Sequence, residues 1–307
     1  MMRDFIFYLK RVGILTCCLL TACTKTQANK DALKTKEPTH EETYARVESK
    51  SVDISTLNED QMAVYQKAIN QALCPCECPL TLAGCLTKKP ECVRAQIQAR
   101  YAAKQAKSGQ IPLMVVTLLT EHLSLPLSQK PAVFDKAPLY TQKGGAHAPI
   151  QLVEFADFRC HHCKDTVPFV KQLEKTFADQ IQITFKHFPL QNQEPSILAA
   201  EAAEAAGAQG QFFAYHELLF ANQDMLSLAR LNEFAQTLKL DMKKFTDAIN
   251  QHTYRAQVLK DKAEGEHLNI QGTPAIFING YEYKLPRDET SVKDFTDYIA
   301  AGLTGCQ

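Results

Sequence analysis

At 307 residues the chain is long enough for two modest domains, since single hydrophobic cores stop growing at about 250–300 residues. Its 34 basic residues balance 34 acidic ones, which leaves no electrostatic footprint for nucleic acid or for an acidic partner. With 45% hydrophobic and 22% charged residues, the composition is that of an ordinary soluble globular protein.

The first residues stand apart. Arg3, Lys10 and Arg11 precede the apolar run VGILTCCLL (Val12 to Leu20), and small residues follow. A basic flank, a short apolar core and a small-residue break form the pattern of a secretory signal. The core is also shorter than the roughly 20 apolar residues that a membrane-spanning helix needs. Residues 1–22 are therefore expected to be a signal peptide. The run LTAC (Leu20 to Cys23) resembles the bacterial lipobox. That resemblance implies lipidation at Cys23, a periplasmic chain anchored to the membrane, and, through Thr24, sorting to the outer membrane. Export also changes how cysteines are read, because disulfides persist in the periplasm. Cys17 and Cys18 leave with the signal, so Cys74, Cys76, Cys78, Cys85, Cys92, Cys160, Cys163 and Cys306 remain to be explained.

Residues 23–54 are polar and lack a sustained apolar period, which predicts a flexible tether. Asn58 with Gln61 three residues later forms a capping-box signature, and Met62, Tyr65, Ile69 and Leu73 follow at helical spacing. A cysteine cluster interrupts. Pro90 opens a second predicted helix with Val93, Ile97 and Tyr101 on one face, ending at Gly109. A third, apolar helix runs from about Pro112 to Leu123. Residues 55–127 thus read as a small helical, cysteine-rich domain, and the proline-bearing residues 128–146 as a linker.

From residue 147 to 307 the pattern becomes α/β. PIQLVEFA (Pro149 to Ala156) is a β-rich run, and Val167, Val170, Leu173 and Phe177 mark a helix after it. QIQITFKHF (Gln180 to Phe188) is a second strand, stopped by Pro189. Residues 195–267 are helical throughout, too long for a single crossover. PAIFING (Pro274 to Gly280) is a third strand, and Asn279-Gly280 is a strong hairpin signal leading to a short strand near Tyr281 to Lys284. SVKDFTDYIAAGL closes the chain with a helix.

Between the first strand and its helix lies DFRCHHCKDT. Four contiguous ligand-type residues cannot converge tetrahedrally on one metal, and zinc sites pair C-x2-C with a distant second pair. Covalent haem attachment needs a histidine directly after the second cysteine, where Lys164 stands. A redox dithiol fits. At a strand–helix junction the first cysteine occupies a helix N-terminus, whose unpaired N–H groups stabilise a thiolate. Cys160 is then the attacking sulfur and Cys163 the resolving one. His162 is expected to add charge or hydrogen bonding beside the Cys160 thiolate, while His161 faces solvent.

VEFADFRCHHC together with GTPAIFING resembles the DsbA family of thioredoxin-fold thiol-disulfide oxidoreductases over about residues 145–304. The resemblance implies exchange through Cys160 and Cys163, with His162 at the position where the family commonly has His. His161 replaces the usual proline before it. It also implies that Glu154, six residues before Cys160, lies under the active site and shuttles protons. Thr273 and Pro274 would form a cis-proline loop that faces the dithiol and receives substrate backbone, beside His161. No organic cofactor is implied. The implied partners are unfolded or misoxidised exported proteins, and a membrane redox protein that recycles the dithiol.

ALCPCECPLTLAGCLTKKPEC packs five further cysteines together: Cys74, Cys76, Cys78, Cys85 and Cys92. In the alternating run Cys74, Cys76 and Cys78, extended backbone favours similar facing. Three readings stand: disulfide staples for a small core, a zinc or Cu(I) thiolate site, and a second redox relay. The cluster also faintly resembles the thiol-bearing helical domain of cytochrome c maturation proteins. The expected architecture is a helical cysteine-rich domain preceding an α/β thioredoxin fold with a helical insertion. The expected activity is disulfide exchange as an oxidase or isomerase, the extra domain offering a route to a homodimer. The alternative is a metal-handling lipoprotein or a maturation reductase working through CPCEC.

Overall fold

In the computed structural model, residues 47, 52–76, 79–124, 130–190 and 194–302 are described, within one compact unit, Tyr44–Gln307. The signal peptide, Cys23, Cys78, Cys306 and most of the tether lie outside the described residues. At the tether's C-terminal end, Val47 and Val52 are buried, and the Val47 N–H donates to the Gln66 side chain at 3.2 Å.

The capping box forms: the Asn58 side chain accepts from the Gln61 N–H at 2.9 Å and the Gln61 side chain from the Asn58 N–H at 3.1 Å. It starts α1 (Glu59–Gln71), which turns Tyr65, Ala68 and Ile69 inward. Leu73 lies beyond the helix and is exposed, because the chain bends there into a bridge with Thr81. The cysteine segment holds a helix the periodicity missed, α2 (Leu82–Lys88), capped by the Thr81 hydroxyl accepting from the Gly84 N–H at 3.1 Å. The helix expected from Pro90 begins instead at Val93, as α3 (Val93–Lys107), with Cys92 as its cap. The apolar run after it is α4 (Pro112–Leu119), which widens into a π-helical turn over Thr120–Ser124.

The next strand was not legible. β1 (Gln142–Lys143) falls inside the expected linker and has only two residues, too few to show alternation. β2 (Ile150–Ala156) is almost continuously buried, as a strand flanked on both sides should be. The CHHC turn forms the single-turn helix α5 (His161–Lys164). The expected long helix breaks there, and α6 (Val167–Phe177) restarts with Pro168 in its first turn, where a missing N–H costs nothing. β3 (Ile181–His187) follows. The helical stretch divides into α7 (Glu194–Gly207), α8 (Phe212–Ala221), α9 (Leu228–Thr237), α10 (Met242–Asn250) and α11 (Arg255–His267). Then come β4 (Ala275–Ile278), β5 (Tyr281–Glu282) and α12 (Glu289–Ala300).

The sheet order is β1-β3-β2-β4-β5, with β2 and β3 parallel and the other pairs antiparallel. The β4–β5 hairpin turns on Asn279 and Gly280, both at positive φ (50° and 84°), as a type I′ turn requires. A side chain at Gly280 would also press to 2.7 Å from the Ala132 carbonyl. On β2, Ile150, Leu152 and Glu154 share one face by the two-residue period. Ile150 and Leu152 join a core with Phe169, Leu173, Ile183, Ile276 and Phe295, and Tyr65, Ile69 and Cys85 of the helical segment belong to the same cluster. The helical segment is latched to α12. Arg94 stacks 4.7 Å over the Tyr298 ring and donates to its carbonyl at 3.1 Å, Gln98 reaches the Tyr298 hydroxyl at 3.0 Å, and Arg100 pairs with Asp294.

Candidate active site

β2 ends at Ala156, and the chain turns through Asp157 before α5. The Asp157 carboxylate accepts from the Arg159 N–H and the Leu190 N–H, both at 2.8 Å. From the helical insertion, the buried Gln223 side chain donates to the Phe158 carbonyl at 2.9 Å and the Cys160 carbonyl at 2.8 Å. Neither residue was singled out from sequence, and nothing local marks Gln223. Phe158 anchors the turn from below, packed on Phe185 and Phe220 at ring separations of 5.3 and 5.0 Å.

Cys160 caps α5 in extended backbone and is half-exposed, whereas Cys163, one turn on, is fully buried. As a thiol, Cys160 donates to the Thr273 carbonyl at 3.3 Å, across 113 residues of sequence. The Cys160 thiol is pushed down from 9.0 to about 5. Hydrogen bonding from the Cys163 thiol is the largest cause and Thr273 adds to it, then the backbone N–H groups of Cys163 and His162, against an opposing burial effect. The buried Thr273 hydroxyl has no fixed partner, so it is available to a thiolate. Cys163 moves the other way: burial first, and then its bond to Cys160, raise it well above the ordinary thiol range. The pair is therefore asymmetric, one sulfur poised as a thiolate and the other held as a thiol.

The Thr273–Pro274 peptide is cis and faces this pair. Glu154, on β2, is buried, and burial raises its carboxyl from 4.5 to about 7 against the pull of Arg287. It opens on a cavity of about 30 Å³, roughly one water, with Val167, Val170 and His216 in the wall. His161 is exposed, as expected. The His162 side chain is 82% exposed and lies 4.0 Å from Asp165, while its backbone N–H helps to hold the Cys160 thiol down. The exposure is geometric: in a four-residue helix capped by Cys160, both histidines fall on the solvent side.

The cysteine cluster upstream is divided. The sulfurs of Cys74 and Cys85 stand 2.7 Å apart and those of Cys76 and Cys92 3.1 Å apart. The expectation of a common facing for Cys74, Cys76 and Cys78 gives way here, because the Leu73–Thr81 bridge folds the segment and sends the first two to different partners. Cys78 lies outside the described residues, and among those described no three metal-ligating side chains converge.

The family model described as thioredoxin matches residues 140–299. The chain belongs to the thioredoxin family. Those residues hold every strand of the sheet, the CHHC turn and the cis-proline loop. Among solved structures, oxidised BdbD from Bacillus subtilis is 26% identical, with a TM-score of 0.49, covering 56% of this chain and 100% of that one. DsbA2 from Pseudomonas aeruginosa is 22% identical, with a TM-score of 0.44, covering 54% and 97%. Among curated proteins, a Na(+)/H(+) antiporter NhaA 3 from Salinispora tropica is 34% identical over 145 residues, which cover 47% of this chain but only 22% of that protein. Among the described residues no helix is long and apolar enough to cross a membrane.

Proposed function

We propose that this protein is an exported, lipid-anchored thiol-disulfide oxidoreductase that acts on other proteins through Cys160 and Cys163. The observation that carries the reading is the asymmetry of the pair: a half-exposed Cys160 at about 5 beside a buried Cys163 held protonated, both facing the cis-proline loop. In the oxidised state, a substrate thiolate attacks the Cys160 sulfur and the Cys160–Cys163 bond breaks. Cys163 leaves with the electron pair and takes a proton from Glu154, which at about 7 is a competent acid near neutral pH. A second substrate thiolate then attacks its partner sulfur in the mixed disulfide and expels Cys160, which is stable as a thiolate. The substrate loses two electrons and two protons and the enzyme dithiol gains the electrons. In this reading Thr273, Pro274 and the exposed His161 meet the substrate chain.

A depressed Cys160 stabilises the reduced enzyme, which favours oxidation of substrates over their reduction. Recycling then requires a membrane oxidant. Periplasmic placement rests on the leader and on Cys23, and the two facing cysteine pairs of the helical segment suit an oxidising compartment. The decisive experiment replaces Cys160 with Ser and follows oxidative refolding of a reduced protein. Loss of activity is expected, and unchanged activity overturns the mechanism.

A further inference from the structure

Two adjoining hollows of about 450 and 480 Å³ run from the cis-proline loop past β4 and β5. They share Asn269, Ile270, Glu282 and Lys284, and one begins at Gly272 and Pro274, the neighbours of the carbonyl that Cys160 contacts. The opposite wall comes from outside the thioredoxin fold: His122 of the π-helical turn borders both hollows. We infer that the N-terminal helical segment forms one wall of the substrate groove, and that His122 there binds an extended, cysteine-bearing polypeptide segment running past β5. This rests on the thiol-exchange reading above.

Several observations converge on that occupant. Each hollow has the volume of a small-ligand site, so a small thiol would fill one at most, whereas an extended chain fills both. Among the described residues β5 is the last strand of the sheet, and an edge strand can accept an extended segment through backbone hydrogen bonds. His122 is held for contact rather than left loose, since the hydroxyl of the buried Tyr101 lies 2.7 Å from its Nδ1. Burial lowers its pKa, so the ring is neutral near pH 7 and its second nitrogen can meet a peptide group. The π-turn itself is a geometry often found at functional sites. Toward the far end, where Lys284 pairs with Glu282 at 2.9 Å and Glu121 also lies, Lys130 is the side chain offered to an acidic group of the bound segment.

The test compares two substrates of the full-length protein, a reduced unfolded protein and dithiothreitol, in the wild type, His122→Ala and Lys130→Glu. For His122→Ala the ratio of kcat/KM for the protein to that for dithiothreitol is expected to fall about tenfold, the worth of roughly one hydrogen bond, mainly through KM. Lys130→Glu, an exposed site whose change leaves folding intact, is expected to lower the same ratio and to lose its effect in high salt. A ratio unchanged in Lys130→Glu and in any folded His122→Ala overturns the groove. Absence of wild-type turnover with either substrate instead overturns the exchange reading itself, so the two failures are distinguishable.

Discussion

Replacing Thr273 with Val keeps the shape of the cis-proline loop but removes the hydroxyl beside both sulfurs. The Cys160 thiol stands at about 5 against 9.0 for an ordinary one. Because the folded value is depressed, reduced protein gains stability that is complete above about 9, shrinks as pH falls, and is gone below about 5. At pH 7 that is about two pKa units, or ~2.7 kcal/mol before solvent screening. Cys160 is half-exposed, and screening brings the figure to ~1–1.5 kcal/mol, equivalent to ~30 mV in a two-electron couple. A hydrogen bond to a charged group is worth ~1.5–3 kcal/mol, so at this exposure its removal should raise Cys160 by about one unit. The assay is the pH dependence of iodoacetamide alkylation, followed at the Cys160 peptide by mass spectrometry; Cys163 is buried. The midpoint is expected near 5 in the wild type and higher in Thr273→Val, with the reduction potential falling in parallel. A wild-type midpoint near 9, or an identical midpoint in the variant, refutes the reasoning.

Three further outcomes follow from the same geometry. Glu154 is raised from 4.5 to about 7, so its ionisation costs the folded state increasingly between those values and by a constant ~3 kcal/mol above them; Glu154→Gln should raise the melting temperature at pH 8 far more than at pH 4, and equal shifts at both would contradict a buried acid. Lys186 is fully buried between Glu264, Asp261 at 3.7 Å and the Asp135 carbonyl at 3.0 Å, so Lys186→Met, which strands the carboxylates, should cost about 3–5 kcal/mol in urea unfolding. Peptide mapping without reductant should link Cys74 to Cys85 and Cys76 to Cys92, and Cys92→Ala should lower stability by about 2–4 kcal/mol more under oxidising than under reducing conditions; a different pairing would refute the fold of that segment.

What the sequence by itself determined was local. A capping box, an Asn-Gly turn, and a dithiol between a β-run and a helix each depend on residues a few positions apart, so Asn58–Gln61, Asn279–Gly280 and Cys160–Cys163 were readable without coordinates. A short element without a motif escaped, because β1 contains too few residues for a period to show. Only tertiary structure could decide what converges from afar. Thr273 meets Cys160 across 113 residues, Gln223 holds the turn from the helical insertion, and the α3 arginines latch onto α12. It also added the His162 backbone N–H to the groups that hold the Cys160 thiol down. A motif fixes which groups are available, whereas burial and direction, which set each thiol's proton affinity, arise only when distant elements close around them.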